Sequence, residues 1–582
     1  MPLLCPTTLD TGKVLPHDRR KSGRLTMRNG GQILVETLVA LGARKAFGVP
    51  GESYLAVLDA MHDSVGQFDY ILCRNEGGAS FMAAAYGKLT GAPGICMVTR
   101  GPGASNAMIG VHTAMQDSTP MLLLVGQIAR SDRERESFQE VDYRAVFGSI
   151  AKYVVEITDT ARIPEHLARA WTTAISGRPG PVVVSLPEDM LSELSDVLPL
   201  TGPVAHIAEP APDAKALAAT RDLLAKAKRP LILTGGTGWT VEGRAALHRF
   251  AEGSDIPVVA AFRCQDGFDN HSTVFAGEAG VGMWPHVAEL IRAADVILAV
   301  NLRMDEMTTG AYTLLSVPLP TQTLIHVHPS SDELGKIYIA ALPIQAGPNA
   351  FSAALEPVSG DWADWRTKAR AGYETAFIAP PQPSPVDMAE VMTYLNAILP
   401  PDVIVTNGAG NFAGWPSRHL RYGPDARLLA PQSGAMGYGV PAAIAAKIAA
   451  PSRTVLCFAG DGDFQMNCQE LATAIQAGAA PIILILDNGI YGTIRAHQER
   501  HFPARVFGTT MVNPDFAAVA RAYGFHGERV ETTADFIPAF ERALQSAKTG
   551  TGAVLNLSIA PEAIAPRQKI STLRAAGFAS KV

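Results

Sequence analysis

The sequence predicts an α/β protein of three parallel-sheet domains, the first and third built alike. Three observations predict it. Short apolar runs alternate with helical stretches along the chain, the pattern of strands joined by right-handed crossovers. Two Pro-rich passages, 198–212 and 379–385, interrupt that alternation and read as linkers, leaving parts of roughly 165–205 residues, a normal domain size. The order of elements in the first part then recurs in the third. The domains expected are 27–192, 213–375 and 386–582, preceded by a flexible extension over 1–26.

The elements follow in order. In the first part, 81–87 reads as a helix of small residues and 94–99 as a strand. Gly101-Pro102-Gly103 then opens a helix to about Gln116, and Pro120 precedes a strand at 121–125. In the third part, Gly439-Val440-Pro441 opens a helix and 454–458 reads as a strand. Gly460-Asp461-Gly462 opens a helix to about Gln476, and Pro481 precedes a strand at 482–486. The middle part has apolar runs at 230–233, 256–260, 296–300 and 323–327. Leu233-Thr234-Gly235-Gly236-Thr237-Gly238 follows the first of these, but Val241 stands where a dinucleotide fingerprint needs glycine. The run therefore reads as a strand-to-helix turn.

Composition narrows the function. The 582 residues are 47% apolar and 18% charged, which suits buried parallel strands. A net charge of −6 with no basic face argues against nucleic acid. No apolar run approaches a membrane span. None of the six cysteines forms a C-x-x-C pair, so buried reduced thiols and a cytoplasmic protein are expected. Residues 1–26 lack the apolar centre of a secretory signal, and Met27 is an alternative start; a targeting role for 1–26 is the other reading.

The chemistry gathers at strand ends. Gly460-Asp461-Gly462 ends one apolar run, where ligands of open α/β sheets bind. Its glycines let backbone N–H groups approach phosphate, the following helix offers its positive end, and Asp461 supplies a hard oxygen. The next apolar run ends at Asp487-Asn488, so Asp461 and Asn488 can share one Mg²⁺ with phosphate oxygens. In the first part, Glu76 precedes the Ala-rich helix within Cys73-Arg74-Asn75-Glu76-Gly77-Gly78; alone it reads as a helix-start carboxylate favoured by the dipole. Gly434-Ala435-Met436-Gly437 sets a methionine among glycines, commonly core filler. Phe138-Gln139-Glu140 reads equally as a surface loop.

The G-D-G and D-N pair resembles the signature of the thiamine-diphosphate enzymes, and the resemblance covers nearly the whole chain from about Met27. The nearest branch is acetolactate synthase and related 2-oxo-acid carboligases and decarboxylases. The resemblance implies a pyrimidine-binding, a central and a diphosphate- and metal-binding domain, the outer two sharing the thiamine-diphosphate-binding fold. It implies that Asp461, Asn488 and the carbonyl of Ile490 ligate Mg²⁺. Gly460, Gly462, Asp463, Tyr491 and Gly492 then belong to the cofactor site, as do Gly434 and Met436, with Met436 wedged beneath the cofactor's two rings. Glu76 would contact the pyrimidine N1′ with a pKa raised by apolar burial and share its proton there. Gln139 would face the active centre. It also implies a homodimer or homotetramer whose centres lie between chains, Glu76 from one and Asp461 from the other.

Four departures bear on the substrate. Gly408-Ala409-Gly410-Asn411 leads where the family usually has a G-Q-H-Q run, leaving backbone N–H groups and the Asn411 amide for diphosphate. His497 stands where a tryptophan usually shapes the acceptor pocket. Glu52 follows Gly51 where a small residue usually faces substrate; its charge would repel a second 2-oxo acid or bind a cationic or hydroxylated one. Gly277-Glu278-Ala279-Gly280 does not reproduce the usual M-H-G segment, so FAD is left open despite Gly235-Gly236 and Arg303. The expected function is a cytoplasmic enzyme that decarboxylates pyruvate or a similar 2-oxo acid and passes the product to a carbonyl acceptor. The alternatives are a 2-oxo-acid decarboxylase, an acyloin lyase or carboligase, a flavin-dependent oxidase of pyruvate-oxidase type, and a non-enzymatic cofactor-binding protein, against which Glu76 argues.

Overall fold

The computed structural model describes residues 27–200 and 207–580. The expected extension over 1–26 lies outside them, as does part of the first linker. Three six-stranded sheets carry the architecture. The first holds β1 (Lys45–Gly48), β2 (Asp69–Leu72), β3 (Gly94–Val98), β4 (Met121–Gln127), β5 (Tyr153–Glu156) and β6 (Pro181–Pro187). The second holds β7 (Pro230–Thr234), β8 (Val258–Ala260), β9 (Phe275–Glu278), β10 (Val296–Val300), β11 (Thr323–His328) and β12 (Leu342–Gln345). The third holds β13 (Ile404–Asn407), β14 (Arg427–Leu429), β15 (Val455–Gly460), β16 (Ile482–Asp487), β17 (His526–Val530) and β18 (Ala553–Ser558).

Strand order confirms the repeat. The first sheet runs β2-β1-β3-β4-β6-β5 and the third β14-β13-β15-β16-β18-β17, the same order by position. Their strand pairs are parallel. Helices cover both faces of such sheets, so central strands such as β4 are buried along their whole length and read as unbroken apolar runs. The middle sheet differs, running β9-β8-β7-β10-β11-β12, with the order reversing between β7 and β10.

The outer sheets share a core through two helices of small residues, α1 (Glu76–Thr90) and, beyond α2 (Pro102–Gln116), α3 (Gly439–Ala449). Residues 439–446 of α3 are all buried. Ala79, Ala83 and Ala84 of α1 join the same apolar cluster, and Phe81 meets Tyr438 edge-on at 5.4 Å. The approach of α1 to β3 is closer still: a Cβ on Gly94 would lie 1.8 Å from the Ala83 carbonyl oxygen. Only glycine fits there.

Two expectations change in detail. The run 256–260 enters the sheet only at Val258. Pro257 has no N–H to give and takes part through its carbonyl, which accepts from Ile232. The single helix expected after Gly462 is three pieces: Asp461–Gln465, a 3₁₀ turn at Cys468–Glu470, and α4 (Leu471–Ala477). The break falls at Asn467, which leaves helical geometry and donates its amide to the Gly437 carbonyl at 2.8 Å. Among the described residues no helix is long and apolar enough to cross a membrane, and five cysteines are free.

Candidate active site

β15 and β16 pair in register, Gly460 opposite Leu486, so the residues that follow leave the sheet side by side. Asp461 is 3% exposed. Its Oδ1 accepts from the Gly462 N–H at 2.9 Å, and its Oδ2 from the Gly489 N–H at 2.7 Å and the Asn513 amide at 2.8 Å. Burial raises its pKa, and those hydrogen bonds draw it back in part. Asn513 also donates to Asp487 at 2.8 Å, tying the two acidic strand ends together. Sequence reading missed it, because Asn513-Pro514-Asp515 has the look of an ordinary turn.

A cavity open to solvent lies over these strand ends. Of the third-part residues predicted to bind cofactor or metal, all but Gly408 line it. Asp461, Asn488 and Ile490 line it, as do Ala409, Gly410 and Asn411. Gly434 and Met436 line it too; Met436 is half-buried there, which excludes core filler. Trp415, Ile494, Ile559 and Ile564 add an apolar wall.

The residues fit a metal diphosphate. The Oδ1 of Asn411 accepts from the Thr493 hydroxyl at 3.1 Å, while its Nδ2 is buried with no partner. A buried, unpaired donor costs about 1–3 kcal/mol, so an anionic oxygen in the cavity suits it. Carboxylate, amide and backbone carbonyl oxygens at Asp461, Asn488 and Ile490 are the hard donors Mg²⁺ takes.

Asp463 corrects the expectation for the backbone of 408–411. Its Oδ1 accepts from the Ala409 N–H at 3.2 Å and the Gly437 N–H at 2.8 Å, so the Ala409 donor is already engaged. Asp463 thus fastens the 408–411 loop to the Met436 segment, and burial pushes its carboxyl up to about 7. Gly408 is needed beneath it: a Cβ there would lie 2.0 Å from Asp463 Oδ1.

Glu76 begins α1 behind an Asn75 cap and is half-buried; Asn106 on α2 donates to its Oε2 at 2.9 Å. It is absent from the cavity wall, which takes its residues from 409–564. The enclosing apolar burial expected for it is therefore not supplied within one chain. Glu470, also missed in the sequence, sets its position. This fully buried carboxylate accepts from the Asn75 N–H at 2.9 Å, the Arg74 N–H at 3.2 Å and the Thr473 hydroxyl at 2.6 Å. A lone charge in an apolar stretch, Cys468-Gln469-Glu470-Leu471-Ala472, was the available signal.

The predicted substrate residues divide. Gly51, Glu52 and Gln139 gather with Glu76 around the loop after β3. A Cβ on Gly51 would lie 2.4 Å from Thr99 Cβ, and one on Gly101 2.8 Å from the Gln139 carbonyl oxygen. Gln139 is held at φ +66°, a strained position for a non-glycine residue. Glu140 folds its loop by accepting from Glu134 and Ser137 N–H groups. Glu52 is ion-paired to Arg100 at 2.6 Å, which corrects the picture of a free negative charge. His497, on α5 (Gly492–His501), is exposed, stacks on His501 and does not line the cavity.

A smaller cavity marks the reversal point of the middle sheet, lined by Gly236, Asn301, Arg303 and His328 among others. Gly235-Gly236 makes the strand-to-helix turn expected, between β7 and the helix Val241–Gly253. Arg303 donates to the Gln116 carbonyl and side-chain oxygens, and Arg178 to Glu333 and Ser118. Much of the charge that could meet a dinucleotide is thus engaged by protein oxygens, while Arg303 Nε is buried without a hydrogen-bond partner.

Comparison with known proteins agrees with this geometry. Residues 28–146 match the thiamine pyrophosphate enzyme N-terminal TPP binding domain, 217–355 the central domain and 408–555 the C-terminal TPP binding domain. The acetolactate synthase large subunit of Parasynechococcus marenigrum (strain WH8102) is 32% identical over 520 residues, 86% of this chain and 83% of that protein. The acetolactate synthase isozyme 2 large subunit of Escherichia coli (strain K12) is 31% identical over 530 residues, 89% of this chain and 94% of that protein.

Proposed function

The chain belongs to the thiamine pyrophosphate enzymes, and from that premise we propose that it is an acetolactate synthase-like carboligase, decarboxylating pyruvate or a similar 2-oxo acid and joining the remainder to a carbonyl acceptor. One observation carries the reading: the cavity over β15 and β16, where hard oxygen ligands and the idle Asn411 amide face one space. Bound thiamine diphosphate would supply the electron sink for decarboxylation.

The chain's residues have separate tasks in this proposal. Asp461, Asn488 and the Ile490 carbonyl hold Mg²⁺, and Asn411 donates to the diphosphate. Gly434 and Met436 hold the pyrimidine, and Glu76 keeps a proton at its N1′. Gln139 and Gly51 border the substrate. Glu76 comes from a second copy of the chain, giving a homodimer or a homotetramer of such pairs. Half-burial of Glu76 supports this, as do exposed apolar residues in both outer parts: Met108, Ile109 and Phe138 in the first, Tyr491, Ile494 and Phe507 in the third. The domain limits 27–192, 213–375 and 386–582 and a cytoplasmic location complete the proposal; unpaired Cys73, Cys96, Cys264, Cys457 and Cys468 support the location.

Decarboxylation followed by ligation is redox-neutral, so FAD in the middle cavity would have no electrons to carry. Purified protein supplied with thiamine diphosphate, Mg²⁺ and a panel of 2-oxo acids and aldehydes should release CO₂ and form a carbon–carbon bond. CO₂ release with the aldehyde as sole product would establish a simple decarboxylase instead. Recovered flavin together with oxidation of the 2-oxo acid would establish an oxidase.

A further inference from the structure

We infer that Arg100 is the receptor for the carboxylate of an acceptor 2-oxo acid, and that Glu52 occupies it until the acceptor arrives. The inference rests on the carboligase reading above. Arg100 stands in the loop between β3 and α2, flanked by Thr99 and Gly101. That loop adjoins Glu76, since a Cβ on Gly103 would lie 3.3 Å from Glu76 Oε1 and 3.1 Å from Thr99 Cγ2. It adjoins Gln139 at Gly101. The guanidinium therefore leaves the rim on which the proposed acid–base and substrate residues meet.

Burial separates the fixed partner from the movable one. The Arg100 side chain is 8% exposed, against 66% for Glu52 and 41% for Glu188. Burial holds the cation in place, whereas the Glu52 carboxylate stands largely in solvent and can swing away. Contact geometry adds an unused donor. Arg100 Nη1 meets Glu188 Oε2 at 3.2 Å, while Nη2 meets Glu52 Oε1 at 2.6 Å. Nε is buried with no partner. Elsewhere in this chain a carboxylate takes Nε and Nη2 of one arginine together, as Glu499 does with Arg574 at 2.8 Å for each. Glu52 takes only half of that fork, so a carboxylate that takes both donors displaces it with a hydrogen bond to spare. Glu188 stays behind and keeps the cation in place.

The choice between donor and acceptor follows from the chemistry. The donor's carboxylate departs as CO₂, and an arginine pair would stabilise it in the ground state and oppose its loss. The acceptor keeps its carboxylate in the product. Glu52 accordingly admits a second 2-oxo acid by yielding its place, where a free carboxylate would repel it.

The test compares two acceptors with the donor at saturation: a 2-oxo acid and a neutral aldehyde of equal chain length. The full-length chain is used with thiamine diphosphate and Mg²⁺, and cofactor affinity is measured in parallel. Arg100→Gln should raise the KM for the 2-oxo acid acceptor by about tenfold to a hundredfold, the range for a lost charge-assisted hydrogen bond, and leave the aldehyde KM within about twofold. Glu52→Gln, which removes the competitor, should lower the 2-oxo acid KM by about threefold. Opposite directions for the two variants are the signature; a merely structural ion pair moves both the same way. Equal effects on both acceptors, or a raised 2-oxo acid KM in Glu52→Gln, would overturn the assignment while ligation itself stands. The exposed Glu52 keeps the test readable if Arg100→Gln fails to fold. A wild type that releases CO₂ but ligates neither acceptor removes the carboligase reading, and this assignment with it.

Discussion

Asn411 illustrates how a residue can be costly alone and useful with a ligand. Its buried Nδ2 has no partner in the chain, while Thr493 satisfies its oxygen. Asn411→Ala should weaken thiamine diphosphate binding by about tenfold to a hundredfold, since hydrogen bonds to charged groups are worth about 1.5–3 kcal/mol. The same change removes an unsatisfied donor, so the melting temperature without cofactor should not fall. Trp415 lines the same cavity, and quenching of its fluorescence would report the affinity. Unchanged affinity would remove Asn411 from the site. Asp461 and Asn488 were legible in the sequence because strand ends announce them, whereas Met436 and Asn411 were placed only by the family resemblance; all four line the cavity. Asp463, Glu470 and Asn513 were not recognised for what they hold. Each acts on partners distant in sequence, at 409 and 437, at 74 and 75, and at 461 and 487. No local pattern carries such pairings.

Elements were legible where burial imposes a simple pattern. Parallel strands covered on both faces leave unbroken apolar runs, so the repeat of the outer parts could be read and the strand orders agree with it. The expected continuous helix after Gly462 shows the limit, because apolar spacing does not reveal a turn forced by a tertiary hydrogen bond at Asn467. That break turns Glu470 toward the start of α1, where a Cβ on Gly78 would lie 2.6 Å from its Oε1. Glu470→Gln replaces one acceptor oxygen with a donor that faces N–H groups of Arg74 and Asn75 or the Thr473 hydroxyl. The variant should lose about 1–3 kcal/mol of stability. Its kcat should fall while thiamine diphosphate affinity holds, because the start of α1 moves and the cavity does not. A loss of cofactor affinity equal to the loss of kcat would show that Glu470 supports the cavity instead.

At the scale of the molecule, one chain carries both halves of the proposed centre but does not close them on each other. Glu76 is half-buried on α1, and the cavity with Asp461 takes its wall from 409–564. α1 is already committed to its own third sheet through α3, Phe81 against Tyr438, and Glu470. On the function proposed, Glu76 then serves a cavity on another copy, an arrangement that composition and periodicity could not reveal and that only resemblance suggested. Glu76→Gln and Asp461→Ala chains should each be nearly inactive alone, with general acid–base loss costing about 10²–10⁴-fold in the first. Dissociated and reassociated together at equal concentration, random pairing in two-fold dimers makes half of them mixed, and each mixed dimer joins one intact Glu76 to one intact Asp461. Activity should return to about a quarter of wild type on that counting. If Glu76 served the cavity of its own chain, every centre in the mixture would keep one lesion and no activity would return.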